Sequence, residues 1–178
     1  MSAVARKKPN HEVTIQLLAQ CRDAPLVFDH VRPELCPALE AAVLFQMGRS
    51  RGSTPSLNVG GWKSPETVFL WSDPAVQALG DEIANLIGGN PVGWAMVNRG
   101  GSHHPRHQHR NARIVGVYYV TAGDPVTPTI FECSKAKELA VDPHPGRIVL
   151  SPGTMWHFLP RYDGVVPRIS IAFEIKRS

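Results

Sequence analysis

From Gly93 onward the chain breaks into short runs rich in Val, Ile, Tyr and Phe, separated by Gly, Pro and Asp. These runs are Trp94 to Asn98, Arg113 to Val120, Pro128 to Cys133, Arg147 to Leu150, His157 to Arg161 and Arg168 to Ile175. Strand-length apolar runs with turn residues between them predict an antiparallel sandwich or barrel.

The first part of the chain reads differently. Val13 to Leu18 and Leu26 to Val31 alternate as strands. Pro33 to Met47 reads as a helix, with Leu35, Leu39, Val43 and either Leu44 or Phe45 along its apolar side. Arg49-Ser50-Arg51-Gly52-Ser53 then exits as a loop. A second helix begins at a capping Asp73 with Pro74 in its first position, and Gly88-Gly89-Asn90-Pro91 ends it. Val76, Leu79, Ile83, Leu86 and Ile87 form its core-facing stripe. Helices first and strands after imply an α+β arrangement, with helices buttressing one outer face of a β barrel.

The 178 residues suit one domain, expected over residues 11–178 behind a flexible basic tail at 1–10. No apolar run approaches the roughly 18 residues of a membrane span. No apolar stretch follows Arg6-Lys7-Lys8 as a secretory signal would require. The expectation is a cytoplasmic protein with no membrane contact. Cys21, Cys36 and Cys133 are odd in number and contain no C-x-x-C pair, so reduced thiols are expected rather than disulfides or a zinc site. A net charge of +4 raises the question of nucleic acid. The excess is spread along the chain, without a basic helix or a row of stacking aromatics. A basic surface drawing small anionic substrates is the reading carried forward, and nucleic acid is not an expected partner. A homodimer stays open.

Half of the eight histidines fall in His103-His104-Pro105-Arg106-His107-Gln108-His109, between two predicted strands. In extended backbone His107 and His109 point to the same side, so an H-x-H at a barrel lip can place two imidazoles on one metal. Imidazole suits Fe, Zn, Ni and Cu alike, and a solvent-facing loop of stacked histidines is the plainer alternative. His157, just after the apolar run Arg147 to Leu150, adds a distant third ring that the returning chain can bring in.

Arg168 to Ile175 has a clean two-residue period. Ile169, Ile171, Phe173 and Ile175 form one face, expected against the helices. Arg168, Ser170 and Ala172 form the other, facing the barrel interior. A buried guanidinium is costly unpaired, and a carboxylate held bidentately beside a hydroxyl satisfies it. The alternative is an Arg at a strand end paired to Asp163.

Taken in order, these segments resemble the 2-oxoglutarate/Fe(II) oxygenase superfamily, and within it a group of small microbial and phage proteins. The resemblance rests on Gly60-Gly61-Trp62-Lys63-Ser64, Asn98-Arg99-Gly100-Gly101, His107-Gln108-His109, Gly116-Val117-Tyr118-Tyr119-Val120, Pro143-His144-Pro145-Gly146, His157 and Arg168 to Phe173. It covers the chain from Gly60 to the end and implies a double-stranded β-helix (jelly-roll) barrel. It further implies His107 and His157 as Fe(II) ligands and Arg168 with Ser170 as the anchor for the distal carboxylate of 2-oxoglutarate. Asn98 and Tyr119 would be further cosubstrate contacts. Trp62 and Ser64 would line the substrate mouth, or the Gly-Gly-Trp turn would pack on the barrel. The implied activity is hydroxylation of a small molecule, an amino acid or a peptide residue.

One departure matters most. Where the wider superfamily has an acid two residues after the first histidine, this chain has His109. Either three histidines hold the metal, the reading carried forward, or His109 stands aside and an acid such as Glu132 completes the set. A neutral ring in place of a carboxylate leaves the site one charge more positive. Two rival functions stay open at this point: a cupin-like three-histidine dioxygenase or isomerase without 2-oxoglutarate, and a non-catalytic metal- or ligand-binding barrel.

Overall fold

The computed structural model describes residues 24–53, 57–134 and 137–177. The expected basic tail and the expected strand Val13 to Leu18 lie outside these residues. Among them no helix is long and apolar enough to cross a membrane. No disulfide joins two of the described residues, and Cys36 is a buried thiol; Cys21 lies outside them.

In chain order the elements are β1 (Leu26–Phe28), α1 (Cys36–Arg49), β2 (Trp62–Lys63), α2 (Pro74–Ile87), β3 (Val92–Asn98), β4 (Ser102–His107) and β5 (Ala112–Tyr119). They continue with β6 (Thr129–Ser134), β7 (Lys137–Val141), β8 (Ile148–Pro152), β9 (His157–Tyr162) and β10 (Arg168–Lys176). Short 3-10 turns precede the two helices at Pro33–Leu35 and Val68–Leu70. One sheet has the order β1-β8-β5-β10-β3-β2 and the other β4-β9-β6-β7. From β3 onward the chain passes back and forth between the two sheets, so strands distant in sequence face each other across the barrel.

The six-stranded sheet has two faces of opposite chemistry. On the outer face, Ala95, Val97, Tyr118, Ile148, Ile169, Ile171 and Phe173 pack against Leu39 and Val43 of α1 and Val76, Leu79 and Ile83 of α2. This is the helix buttress expected from the sequence. The Asp73 carboxylate accepts from the backbone N–H groups of Ala75 (2.9 Å) and Val76 (3.2 Å), satisfying two orphan donors of the first turn. Gly88 closes α2 in the left-handed region, φ 67°.

Several boundaries differ from the sequence reading. Leu26 to Val31 is a strand only through Phe28, because His30 and Arg32 adopt positive φ (61° and 48°) and turn the chain toward α1. The region read as one helix from Pro33 starts as a 3-10 turn. Leu44 packs on the core while Phe45 is exposed under the Arg49 guanidinium. Leu86 lies at the edge of its stripe and is partly exposed. The histidine tract, placed between two predicted strands, forms the edge strand β4 as far as His107, and β7 and the short β2 are further strands absent from the sequence reading.

Close packing between helices and sheet requires Gly116. A Cβ there would overlap the ring of Phe173, its partner across β5 and β10, and crowd Leu150. Gly116→Ala should lower the unfolding free energy by about 1–3 kcal/mol, the usual range for overpacking. Adding Phe173→Leu should return part of that loss. Denaturant midpoints check this, and an unchanged midpoint for Gly116→Ala would contradict the packing described.

Candidate metal and cosubstrate site

The inner face of the six-stranded sheet is set by register. Trp94, Met96 and Asn98 of β3 stand opposite Ala172, Ser170 and Arg168 of β10. Val117 and Tyr119 of β5 stand opposite Ala172 and Ser170. Directly paired residues share a face, so these side chains point together toward the four-stranded sheet. The cavity between the sheets is lined by Trp94, Met96, Asn98, Arg168 and Ser170 from one side and by His104, His107, Thr129, Phe131 and His157 from the other.

His107, at the end of β4, and His157, at the start of β9, are direct partners in the antiparallel ladder, with ring centroids 4.3 Å apart. His109 follows β4. Its N–H donates to the Gly153 carbonyl at 2.7 Å, which ties it to the β8–β9 turn. A Cβ on Gly153 would collide with the carbonyls of His109 and Ala112, so only glycine admits this approach. The rings of His109 and His157 lie parallel with centroids 5.4 Å apart. One ring nitrogen from each of His107, His109 and His157 lies within 4.8 Å of the others, close enough for the three to hold one metal ion.

Hydrogen bonding selects which nitrogen is free. Nδ1 of His107 lies 2.8 Å from the Pro105 carbonyl, and Nδ1 of His157 lies 3.1 Å from the Met155 carbonyl. Nδ1 of His109 lies 3.2 Å from the Glu174 carboxylate. All three partners are acceptors, so each Nδ1 carries the proton and each Nε2 keeps its lone pair. Burial holds the rings neutral. It pulls His157 down to about 3 and His109 to about 4, and lowers His107 as well. His104, whose ring lies 4.4 Å from that of His107, is drawn down to about 3 by burial and by the neighbouring rings.

Glu132 stands outside this cluster. It alternates with the buried Phe131 and faces outward, where its Oε2 accepts from Arg106 Nη2 at 2.6 Å.

At the far end of β10 from Glu174 sits Arg168, 2% exposed. Its Nη2 donates to Thr129 Oγ1 at 2.9 Å, and its guanidinium carbon lies 5.2 Å from the centre of the Tyr119 ring. The Tyr119 hydroxyl also donates to Thr129, at 2.8 Å. Burial lowers the Arg168 pKa. Asp163 pairs instead with Arg161 at 2.7 Å, and among the described residues no carboxylate lies within ion-pair distance of Arg168. Arg168 Nε, Ser170 Oγ and Asn98 Oδ1 are buried polar atoms with no hydrogen-bond partner among the described residues. Thr129 was not singled out from the sequence, since a Thr opening an apolar run reads as ordinary strand composition.

Trp62 and Ser64 do not reach this cavity. Trp62 pairs with Val97, on the helix-facing side of β3, and its Nε1 donates to the Ser50 carbonyl at 2.9 Å. The Ser64 hydroxyl is engaged by the backbone of Pro65 and Ala95. Alternation sends Lys63, between them, to the cavity side, with Nζ 4.5 Å from the centre of the Trp94 ring.

The neutral rings make stability depend on pH. An unfolded histidine titrates near 6.5, whereas His109 and His157 stay unprotonated in the fold until much lower pH, and His107 is shifted in the same direction. Below about 6.5 the unfolded chain therefore binds protons that the folded chain does not, and stability is lost as pH falls toward 4. Each ring contributes up to about 1.4 kcal/mol per pH unit in that window. Denaturation of metal-free protein at several pH values should show this decline, with a shallower slope in His157→Gln. Equal slopes in the two proteins would mean that His157 is already protonated in the fold.

No family model matches the chain, and no curated protein sequence matches it. Solved structures do. A prolyl-4-hydroxylase from Pseudomonas putida superposes with a TM-score of 0.74 at 14% identity, over 88% of this chain and 94% of the other. A prolyl hydroxylase from Trichoplax adhaerens, in complex with a peptide fragment of the hypoxia-inducible factor oxygen degradation domain, gives 0.73 at 15% identity over 87% and 84%. HygX from Streptomyces hygroscopicus, with nickel and 2-oxoglutarate bound, gives 0.63 at 11% identity over 85% and 82%. The alternation of strands between two sheets, the helix layer and these superpositions together give the chain the double-stranded β-helix fold of the 2-oxoglutarate/Fe(II) oxygenases.

Proposed function

We propose that this chain is an Fe(II)- and 2-oxoglutarate-dependent oxygenase that hydroxylates a small molecule, an amino acid or a peptide residue. The observation that carries the reading is Arg168, a buried guanidinium with no carboxylate partner among the described residues, lining the same cavity as three histidines whose Nδ1 atoms are engaged and whose Nε2 lone pairs are free. A buried unpaired charge is costly, and a dicarboxylate satisfies it.

The donors fit both groups. Three neutral imidazoles suit iron and leave coordination positions open for further ligands. Arg168 Nε and Ser170 Oγ offer hydrogen bonds to a carboxylate, while Asn98 and the Tyr119 ring enclose the same end of the cavity. Three neutral rings leave the charge of a divalent ion uncompensated, which favours a dianionic cosubstrate. Bound together, iron and 2-oxoglutarate would supply oxygen activation, with O2 and 2-oxoglutarate consumed to give succinate, CO2 and a hydroxylated substrate.

The protein's own part is positioning and exclusion of water. Backbone acceptors hold His107 and His157, and the Gly153 contact holds His109. Trp94, Met96, Phe131 and Leu159 make the cavity walls apolar, which strengthens every charge interaction inside. The prolyl hydroxylase solved with a peptide supports a peptide residue as one substrate class.

Anaerobic addition of 2-oxoglutarate to the Fe(II)-loaded protein should give a visible metal-to-ligand charge-transfer band. Arg168→Met should weaken 2-oxoglutarate binding by about 100-fold or more. The same change should raise the unfolding free energy of the metal-free protein by about 1–3 kcal/mol, because it removes a buried charge that lacks a partner. Iron binding without any band, or an Arg168→Met protein that still binds 2-oxoglutarate normally, would refute the proposal.

A further inference from the structure

The cavity-facing side of β10 does not end at Ala172. Its next member is Glu174, paired with Val115 of β5 and Val92 of β3. The Glu174 side chain is 14% exposed, and its Oε2 lies 3.2 Å from His109 Nδ1. Among the described residues it has no Lys or Arg within ion-pair distance; Lys63 pairs with Glu66 at 3.6 Å. Burial raises the Glu174 pKa. His107 and His157 lean on backbone carbonyls, so His109 is the one ring of the three backed by a carboxylate.

His109 also occupies the position where the sequence departs from the acid usual in this superfamily. The carboxylate absent from that position is present one ring further out. We infer that Glu174 is a positioning residue that supplies, through His109, the negative charge that a directly ligating acid would otherwise bring to the metal. A carboxylate accepting from Nδ1–H fixes the ring's tautomer and orientation and makes Nε2 a stronger donor, and loss of such a partner commonly costs 10–100-fold in metal affinity. This inference rests on the metal site of the proposed function, though not on its chemistry with oxygen.

A purely structural hydrogen bond would be served as well by an amide. Glu174→Gln keeps an acceptor of the same shape and removes only the charge, so it separates the two roles. The measurement is Co(II) affinity of the intact chain, titrated spectroscopically against a competing chelator, with folding checked by circular dichroism. Glu174→Gln should bind Co(II) about 10–100-fold more weakly than the native chain. Glu174→Asp keeps the charge at a greater distance and should stay closer to the native affinity. In a His109→Asp background, where the acid ligates directly and no Nδ1–H remains, Glu174→Gln should cause no loss.

Equal Co(II) affinity in the native chain and Glu174→Gln would overturn the inference. So would the same fold-loss in both backgrounds, or a loss in Glu174→Asp as large as in Glu174→Gln. Co(II) binding with the expected Glu174 dependence but no 2-oxoglutarate binding would support the positioning role and remove the proposed function. A native chain that binds no Co(II) would overturn both.

Discussion

Near the middle of the six-stranded sheet, β10 sends Ile169, Ile171 and Phe173 into the helix layer and Arg168, Ser170, Ala172 and Glu174 toward the other sheet. A one-residue slip would exchange the two sets, placing a guanidinium among Leu79, Ile83 and Val43 and isoleucines in the cavity. The hydrophobic side therefore fixes the register, and the register places the polar side. Gly116 makes room for the Phe173 ring at one point of this arrangement. The site inherits its geometry from the core behind it.

The same strand acts as a ruler along the cavity. Arg168 marks one end and Glu174, against His109, the other, with about 20 Å of strand between them at roughly 3.3–3.4 Å per residue. The three clustered histidine rings come from the opposite sheet and its adjoining loop. His107 and His157 meet because they are ladder partners, whereas His109 is brought in by the close approach of Gly153. Among the described residues, the groups lining the site apart from Glu174 are neutral or positive, and no acid lies within ion-pair distance of Arg168. Such a cavity favours a ligand with negative charge at the Arg168 end.

Much of this was legible in the sequence. The period of Arg168 to Ile175, the H-x-H spacing, the distant His157 and the capped second helix all express local rules that tertiary packing does not override. What was not legible depends on pairing. His103 to His107 looks like a polar connection, yet it is an edge strand because β9 offers it a ladder partner. By sequence Trp62 and Ser64 could line the substrate mouth or the Gly-Gly-Trp turn could pack on the barrel, and only the β2–β3 register decides, turning Trp62 to the helix side and Lys63 to the cavity. Glu174 could have been found by carrying the two-residue period one step beyond Ala172. A carboxylate between Phe173 and Ile175 reads instead as the solvent-facing end of a strand, and its histidine partner is 65 residues away.

The most direct test of the account is a crystal structure of the protein grown without oxygen in the presence of Fe(II) and 2-oxoglutarate, with anomalous scattering recorded at the iron edge. The account predicts one iron peak bound by Nε2 of His107, His109 and His157, with the distal carboxylate of 2-oxoglutarate on Arg168 and Ser170. Iron bound without His109, or 2-oxoglutarate with its carboxylate away from Arg168, would contradict it.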